Sequence, residues 1–339
     1  MYRCSAGLVS GIVQNLGKGF AYARLIPFAG RLDFLRCGVR SETHAMGLNQ
    51  NCIGKVYPTT TFRVSEGAIT EYASACNEDN PAFLDVSRAG GISAPPLFGA
   101  VATYPAVLQV ASDPELGVDL VRLLHSEQDM EYLAPIRPDD VISTVARIMR
   151  IEVMAHGETL AVELRASNQD RVEVQRIVFT AFIRARNKAR ARSAVSREKR
   201  EARKALAVEA LRAEQAATVV QQLDFDQAVR YAKASGDNNP IHLSQESAKA
   251  AGLPGVIVHG LCTMAFASKA VIDAVCGRDP LRLKRLYARF ARPVFPGQTL
   301  TTTLWPGARD RSRRTYFYET ANPQGQGVIR DGVAEVQME

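Results

Sequence analysis

The sequence has no apolar run near the roughly 18 uncharged residues that a membrane-spanning helix needs, so no stretch of it reads as a span. Its six cysteines, Cys4, Cys37, Cys52, Cys76, Cys262 and Cys276, are scattered without any Cys-x-x-Cys spacing. A reduced, cytoplasmic setting fits that usage best. A basic folded face and a basic patch interleaved with aromatics are both missing as well. The formal charge is +7, but residues 184–216 carry +7 (11 basic and 4 acidic side chains) and residues 1–50 carry +4, which leaves the remainder at −4. The excess charge therefore sits outside the expected folded halves, and no nucleic-acid partner is expected.

What is present is a chain of 339 residues, 46% apolar, long enough for two domains of about 150 residues each. A repeat supports that division. Tyr72-Ala-Ser-Ala-Cys-Asn-Glu-Asp-Asn-Pro-Ala-Phe83 lies over Tyr231-Ala-Lys-Ala-Ser-Gly-Asp-Asn-Asn-Pro-Ile-His242 with Tyr, Ala, Ala, Asn and Pro in register. Phe98-Gly99 matches His259-Gly260, and Pro135-x-x-Pro138 matches Pro293-x-x-Pro296.

Around these landmarks the first copy reads as a strand from Val56 to Val64 and a helix capped by Ser65. A mostly buried helix from Pro96 to Val110 follows, with Pro105 as a candidate kink. Leu120 to Leu133 reads as a strand with its approach, and Val141 to Val153, Glu158 to Ser167 and Val172 to Arg184 as an antiparallel meander. In the second copy the strand Val219 to Leu223 precedes a helix capped by Asp224 or Asp226 and ending at Ser235. Ser244 caps a short helix, and His259 to Cys276 is the second buried helix. Strands are expected at Leu283 to Phe290, Thr299 to Trp305, Thr315 to Thr320 and Gly327 to Val336. The class that follows is α+β, helix against antiparallel sheet, in two copies.

The chemistry concentrates at Tyr231 to His242. Gly236 ends a helical turn and Pro240 pushes Asn239 toward extended backbone, so Asp237 and His242 share one loop. A carboxylate and an imidazole in one turn can move protons near neutral pH. A capped helix end with a surface histidine is the alternative reading of the same residues. Gly260 opens the buried helix, whose N–H groups and positive dipole end suit a developing oxyanion, although glycine there also permits close approach of helix and strand. His259 reads more readily as structural, and Cys262 as a core residue. Asp237, His242 and His259 lack a clear fourth ligand, so no metal is expected. Glu78 stands in the position of Asp237 and Phe83 in that of His242, which makes the first copy non-catalytic.

The stretch Tyr231 to His242 resembles the Ser-Gly-Asp-x-Asn-Pro-x-His signature of the MaoC-like, R-specific enoyl-CoA hydratases (hydratase 2). The likeness continues through Gly255-Val-Ile-Val-His-Gly-Leu261 and Ala291-Arg-Pro-Val-Phe-Pro-Gly297 and covers most of residues 217–339. It implies two tandem hotdog folds, each an antiparallel sheet wrapped around a central helix, with the second carrying the catalytic motif. Residues 51–184 form the degenerate hotdog, 185–216 a charged linker and 217–339 the MaoC-like hotdog. Residues 1–50 are a basic extension that is read in three ways: a targeting segment, an element packed on the fold, or sequence upstream of a true start at Met46.

By the same resemblance Asp237 and His242 are catalytic and Asn239 and Gly260 support them; Phe83, as a wall or core residue at the degenerate place, and His259 are the candidate substrate-binding residues. The degenerate half helps house the acyl chain. The reaction implied is hydration of a trans-2-enoyl-CoA to an R-3-hydroxyacyl-CoA, or its reversal, without a cofactor. An acyl-thioester hydrolase on the hotdog architecture and a non-catalytic acyl-thioester-binding subunit are the alternatives. Expected partners are an acyl-CoA substrate, an acyl carrier protein as its replacement, and a second copy of the chain in a homodimer.

Overall fold

The computed structural model describes residues 47–154, 156–185 and 215–338. The chain divides into two units, Met1–His44 and Ala45–Glu339, and every described residue belongs to the second. The expected leading segment up to residue 46 and the body of the expected linker, residues 186–214, lie outside the described residues. Residues 47–50 belong to the fold: Leu48 is buried in the core and its N–H donates to the Glu158 carboxylate at 3.0 Å.

Ser65 caps helix α1 (Glu66–Ala75) by accepting from the Ala68 N–H, and Asn80 caps the short α2 (Pro81–Leu84). Helix α3 (Phe98–Ala111) is apolar on most sides and continues through Pro105. In the second half α4 (Gln227–Ser235) ends at Gly236 in the left-handed conformation, φ 77°. Then come α5 (Gln245–Ala250), capped by Ser244, and α6 (Gly260–Val275), the counterpart of α3. Neither Asp224 nor Asp226 caps α4, contrary to the expectation from sequence. Both carboxylates are drawn to Arg230 instead, with Asp226 Oδ1 at 3.0 Å from its Nε.

Ten described strands form one antiparallel sheet. They are β1 (Thr60–Arg63), β2 (Leu123–Tyr132), β3 (Val141–Met154), β4 (Gly157–Ser167), β5 (Glu173–Arg184), β6 (Ala217–Gln222), β7 (Leu283–Phe290), β8 (Thr299–Arg309), β9 (Arg313–Ala321) and β10 (Gly327–Gln337). Their order is β1-β3-β4-β5-β2-β7-β10-β9-β8-β6, so each half repeats the other's order outward from the β2–β7 seam. The first strand is shorter than the sequence suggests. Pro58 has no N–H to give the ladder, so Val56 makes only an isolated bridge to Arg147 before β1 begins.

Helix α3 lies against β1, β3 and β4, and α6 against β6, β7, β8 and β10. This is the double hotdog, two helices each wrapped by half of a continuous sheet. At the seam Glu127 pairs with Arg289, Asp129 with Tyr287 and Glu131 with Arg285. Arg285 clamps Asp129 through two hydrogen bonds of 2.8 and 2.7 Å. The repeat-equivalent Tyr72 and Tyr231 meet edge to face with ring centroids 5.7 Å apart, so the two signature helices adjoin. Among the described residues no helix is long and apolar enough to cross a membrane.

Candidate functional site

The turn after α4 is built by its own side chains. Ala228, Tyr231 and Ala232 anchor the helix by burial, and the left-handed Gly236 releases the chain into a loop. There the Asp237 N–H donates to Ser235 Oγ at 3.2 Å, and Asp237 Oδ1 accepts from the Asn239 N–H at 3.2 Å. Asn239 in turn accepts from the Ile241 N–H at 3.3 Å and caps the tight turn Pro240–His242. Asn239 is exposed, so what it contributes in this structure is the shape of the loop.

His242 is 7% exposed, and its Nδ1 lies 2.9 Å from the Ile257 carbonyl. A carbonyl only accepts, so Nδ1 carries the hydrogen and Nε2 keeps its lone pair. Desolvation holds the imidazole below its ordinary pKa, against the opposing effects of the Ile257 carbonyl and the Asp237 charge, and so it is neutral near pH 7. Its ring stacks on His259 at 3.7 Å between centroids and 27° between planes. His259 is 1% exposed and its Nε2–H donates to the Asp237 carbonyl at 2.9 Å. Burial, with neighbouring His242, pushes its pKa down to about 4. His259 is thus a neutral bracket between the loop and the start of α6.

Gly260 is the first residue of α6, where N–H groups have no partner within the helix. It is partly exposed, and a β-carbon there would meet only the Phe290 ring, at 3.4 Å. The expected residues Asp237, Asn239, His242, His259 and Gly260 therefore share one locality. Phe83 is 0% exposed in the core cluster and presents no surface to solvent.

Two further residues come from the first half. Tyr104 on α3 faces the Asp237 carboxylate; burial, then the nearby Asp237, push its phenol up to about 12. His125 on β2 lies between Phe179 and Phe290, at centroid distances of 4.5 and 4.8 Å, with Nε2 3.0 Å from Gln128 Oε1. Desolvation pushes it down to about 4, although Gln128 and the charge of Asp237 act the other way. Sequence reasoning missed both. Tyr104 sits in an apolar helical run and His125 at the start of a strand, with no local motif around either; only the β2–β7 seam sets His125 against Phe290 of the second half.

The repeat-equivalent place in the first half is closed. Glu78 is 9% exposed, and burial raises its pKa to about 8 despite Lys269 at 3.9 Å. Gly99, the counterpart of Gly260, is buried, and the Gln175 side-chain amide occupies the space a β-carbon on Gly99 would take. Gln175 is held there by donating to the Pro96 carbonyl at 3.0 Å.

Asp237, His242 and His259 bring one carboxylate oxygen and two ring nitrogens within 4.8 Å of one another, a donor set that metal and acid–base sites share. One nitrogen of each ring already faces a backbone carbonyl, which leaves one nitrogen per ring for other work. The arrangement favours proton handling.

The chain is similar to known proteins over both halves. A MaoC like domain is matched over residues 200–326, and a FAS1-like, dehydratase domain region over residues 51–176. The "Probable enoyl-CoA hydratase 2" of Dictyostelium discoideum is 30% identical over 248 residues, 72% of this chain and 81% of that protein. The "Enoyl-CoA hydratase 2, peroxisomal" of Arabidopsis thaliana is 29% identical over 261 residues, 73% of this chain and 84% of that one. Among solved structures, a Mycobacterium tuberculosis protein described as having a double hotdog fold superposes with TM-score 0.56 at 14% identity, covering 84% of this chain and 96% of that one. The chain belongs to the enoyl-CoA hydratase 2 family of MaoC-like proteins.

Proposed function

We propose that the protein hydrates trans-2-enoyl-CoA to R-3-hydroxyacyl-CoA, or runs the reverse dehydration, in fatty-acyl thioester metabolism. The observation that carries this reading is the free Nε2 of His242 beside the Asp237 carboxylate, next to the N-terminus of α6 at Gly260. The Gly260 N–H and the helix dipole polarise the thioester carbonyl, which makes C3 electrophilic. Asp237 and His242 Nε2 hold a water, whose oxygen bonds to C3 as one of its protons passes to the pair. That proton is then delivered to C2 as the enolate collapses, so the net change is addition of H and OH across the double bond. The thioester is itself the electron sink, and no cofactor enters the scheme.

Asn239 shapes the catalytic loop in this scheme, His259 fixes the Asp237 backbone, and Phe83 supports the first half from its core. Residues 51–184 serve as the degenerate hotdog and 217–339 as the catalytic one. The named activity of the Dictyostelium and Arabidopsis relatives supports this reading. An acyl carrier protein in place of coenzyme A and a homodimeric state are finer points, tested by a carrier-linked substrate and by the solution mass. The cytoplasmic setting is proposed on the four described cysteines, all free and buried, although the Arabidopsis relative is named peroxisomal.

The test is to mix purified protein with crotonyl-CoA and follow the conjugated absorbance, free thiol and product chirality. Loss of conjugation with R product and no thiol release is expected. Thiol release would make it a hydrolase, and binding without turnover a carrier subunit.

A further inference from the structure

Two adjoining cavities, of about 150 and about 170 Å³, open beside the closed place at Gly99, with Ser93, Pro280 and Leu281 as shared walls. Each alone is about half the smallest size usual for a ligand pocket, and together they reach it. The pairing of Tyr132 with Gln175 repeats that of Phe290 with Ile329, and Pro135 repeats Pro293. The larger cavity, walled by Tyr132, Pro135 and Gln175, therefore occupies in the first half the place that adjoins Gly260 in the second. Asp237, His242 and Gly260 are not among the walls of either cavity.

The larger cavity is mostly apolar, with Pro95, Pro96 and Leu133 beside the Tyr132 ring and Lys284 at its edge. The smaller one is basic, walled by Arg88 and Arg137. Gly90 and Gly91 are both left-handed, φ 85° and 69°, and turn the loop so that the Gly90 carbonyl accepts one Arg137 N–H at 2.8 Å. That bond uses one of the five donors of the guanidinium. The side chains of Arg88 and Lys284 make no hydrogen bond or ion pair among the described residues. Asp279 is the one acid lining either cavity among the described residues, and its Oδ1 is taken by the Leu281 N–H at 2.9 Å. Ser93 is 8% exposed and borders both cavities, and its hydroxyl has no hydrogen-bond partner among the described residues. The Oε1 of Gln175 is buried and unpartnered as well.

We propose that the closed copy keeps a second, non-catalytic binding site for the phosphopantetheine arm of a coenzyme A molecule. That arm joins a phosphate to a short chain of amide and methylene groups. The phosphate meets Arg88 and Arg137, whose planar guanidinium groups suit its oxygens. The chain lies along the prolines and the Tyr132 ring, where its amides supply the hydrogen bonds that Ser93 and Gln175 lack. A fatty acid would bring the anion but leave those two polar groups unpaired. The choice of this arm rests on the hydratase reading, which makes coenzyme A thioesters the molecules the protein handles. With Gly99 covered by Gln175, and Phe83 in the position of His242, the bound molecule is not turned over.

The experiment titrates the full-length protein and an Arg88→Ala/Arg137→Ala variant with free coenzyme A in a calorimeter, and measures crotonyl-CoA hydration by both. The wild type should bind one molecule per chain that the variant binds on the order of 10-fold more weakly, because charge-assisted contacts to the phosphate are gone. Its kcat and KM for crotonyl-CoA should be those of the wild type. Arg88→Glu, at an exposed position, should act in the same direction if the double variant fails to fold. Phosphopantetheine should compete for the site, and inorganic phosphate at the same concentration should not. Equal coenzyme A binding by the wild type and the folded variants would overturn the proposal. So would competition by inorganic phosphate, which would make this a plain anion site, or a loss of hydration that accompanies the loss of binding. A wild type that binds coenzyme A through these arginines yet hydrates no crotonyl-CoA would instead remove the hydratase reading.

Discussion

The side-chain amide of Gln175 sits against Gly99 at the start of α3, in the space left open beside Gly260 at the start of α6. The two glycines head equivalent helices, yet the space beside Gly99 is filled by the Gln175 amide, while the nearest group to the same space beside Gly260 is the Phe290 ring at ordinary contact distance. The plug shows how the first copy lost access to its helix end while keeping the fold. It also leaves Gln175 Oε1 buried without a hydrogen-bond partner, a polar group retained at a cost.

That relationship predicts a coupled pair. Gly99→Ala forces a β-carbon into the Gln175 amide and should destabilise the protein by about 1–3 kcal/mol, the range for overpacking a filled core. In Gln175→Ala the obstruction is gone, so Gly99→Ala should then cost much less, with a coupling energy of roughly 1 kcal/mol or more. Chemical denaturation of the four proteins measures it, and simple additivity would mean that the amide moves aside freely. Gly260→Ala meets only the Phe290 ring at ordinary contact distance and should leave the denaturation midpoint nearly unchanged.

Phe83→Ala should act on stability before it acts on specificity. The ring is fully buried in the core cluster, and truncating a core phenylalanine costs about 3–5 kcal/mol. A denaturation midpoint close to wild type, together with a changed chain-length profile, would return Phe83 to the substrate path.

The tandem repeat was legible because Tyr72 and Tyr231, Asn80 and Asn239, and Pro81 and Pro240 mark the same helix-to-turn transition twice. Ser65 and Ser244 were legible as caps because that interaction is local in sequence. Asp224 and Asp226 misled for the opposite reason: nothing in the turn itself reveals that Arg230, one helical turn on, takes both carboxylates. Tyr104 and His125 were invisible for a deeper reason. Each lies more than a hundred residues from Asp237 in sequence, and only the joining of the two half-sheets at β2 and β7 brings His125 against Phe290 of the second half.

Tyr104→Phe tests whether that cross-half contact serves catalysis. The substitution removes the one hydroxyl that faces the Asp237 carboxylate from the first half, and a hydrogen bond it makes to a charged group in the working site is worth about 1.5–3 kcal/mol. A fall in kcat of about 10-fold, with little change in KM or melting temperature, is expected if the phenol holds the carboxylate in its working orientation. Unchanged kcat would leave Tyr104 as a packing residue.

Glu78 should give the protein a pH-dependent stability that the Glu78→Gln variant lacks. Its pKa rises on folding from 4.5 to about 8, chiefly by burial, so the neutral form is the one the fold prefers. The contribution is fully present below about pH 4.5 and is lost as the pH rises through about 8. Over that window wild-type stability should fall by up to a few kcal/mol relative to the variant, because glutamine stays neutral. Parallel urea curves for the two proteins from pH 5 to pH 8.5 would show that Glu78 ionises without consequence.

Asp237→Asn and His242→Ala should each remove most turnover while substrate still binds. Asparagine keeps the size of Asp237 and an oxygen for the Asn239 N–H, so the loop should hold its shape while the negative charge is lost. Alanine at 242 deletes the free Nε2 and also the bond to the Ile257 carbonyl, so its melting temperature has to be measured alongside its rate. A positioned acid or base contributes about 10²- to 10⁴-fold, and two groups acting on one water should give losses well short of multiplicative in the double variant. Glu78→Gln is the matched control, because Glu78 holds the equivalent place in the closed half and should affect turnover little. Folded Asp237→Asn protein with near-normal hydration of crotonyl-CoA would sink the assignment, and a larger loss from Glu78→Gln would move the chemistry to the first half.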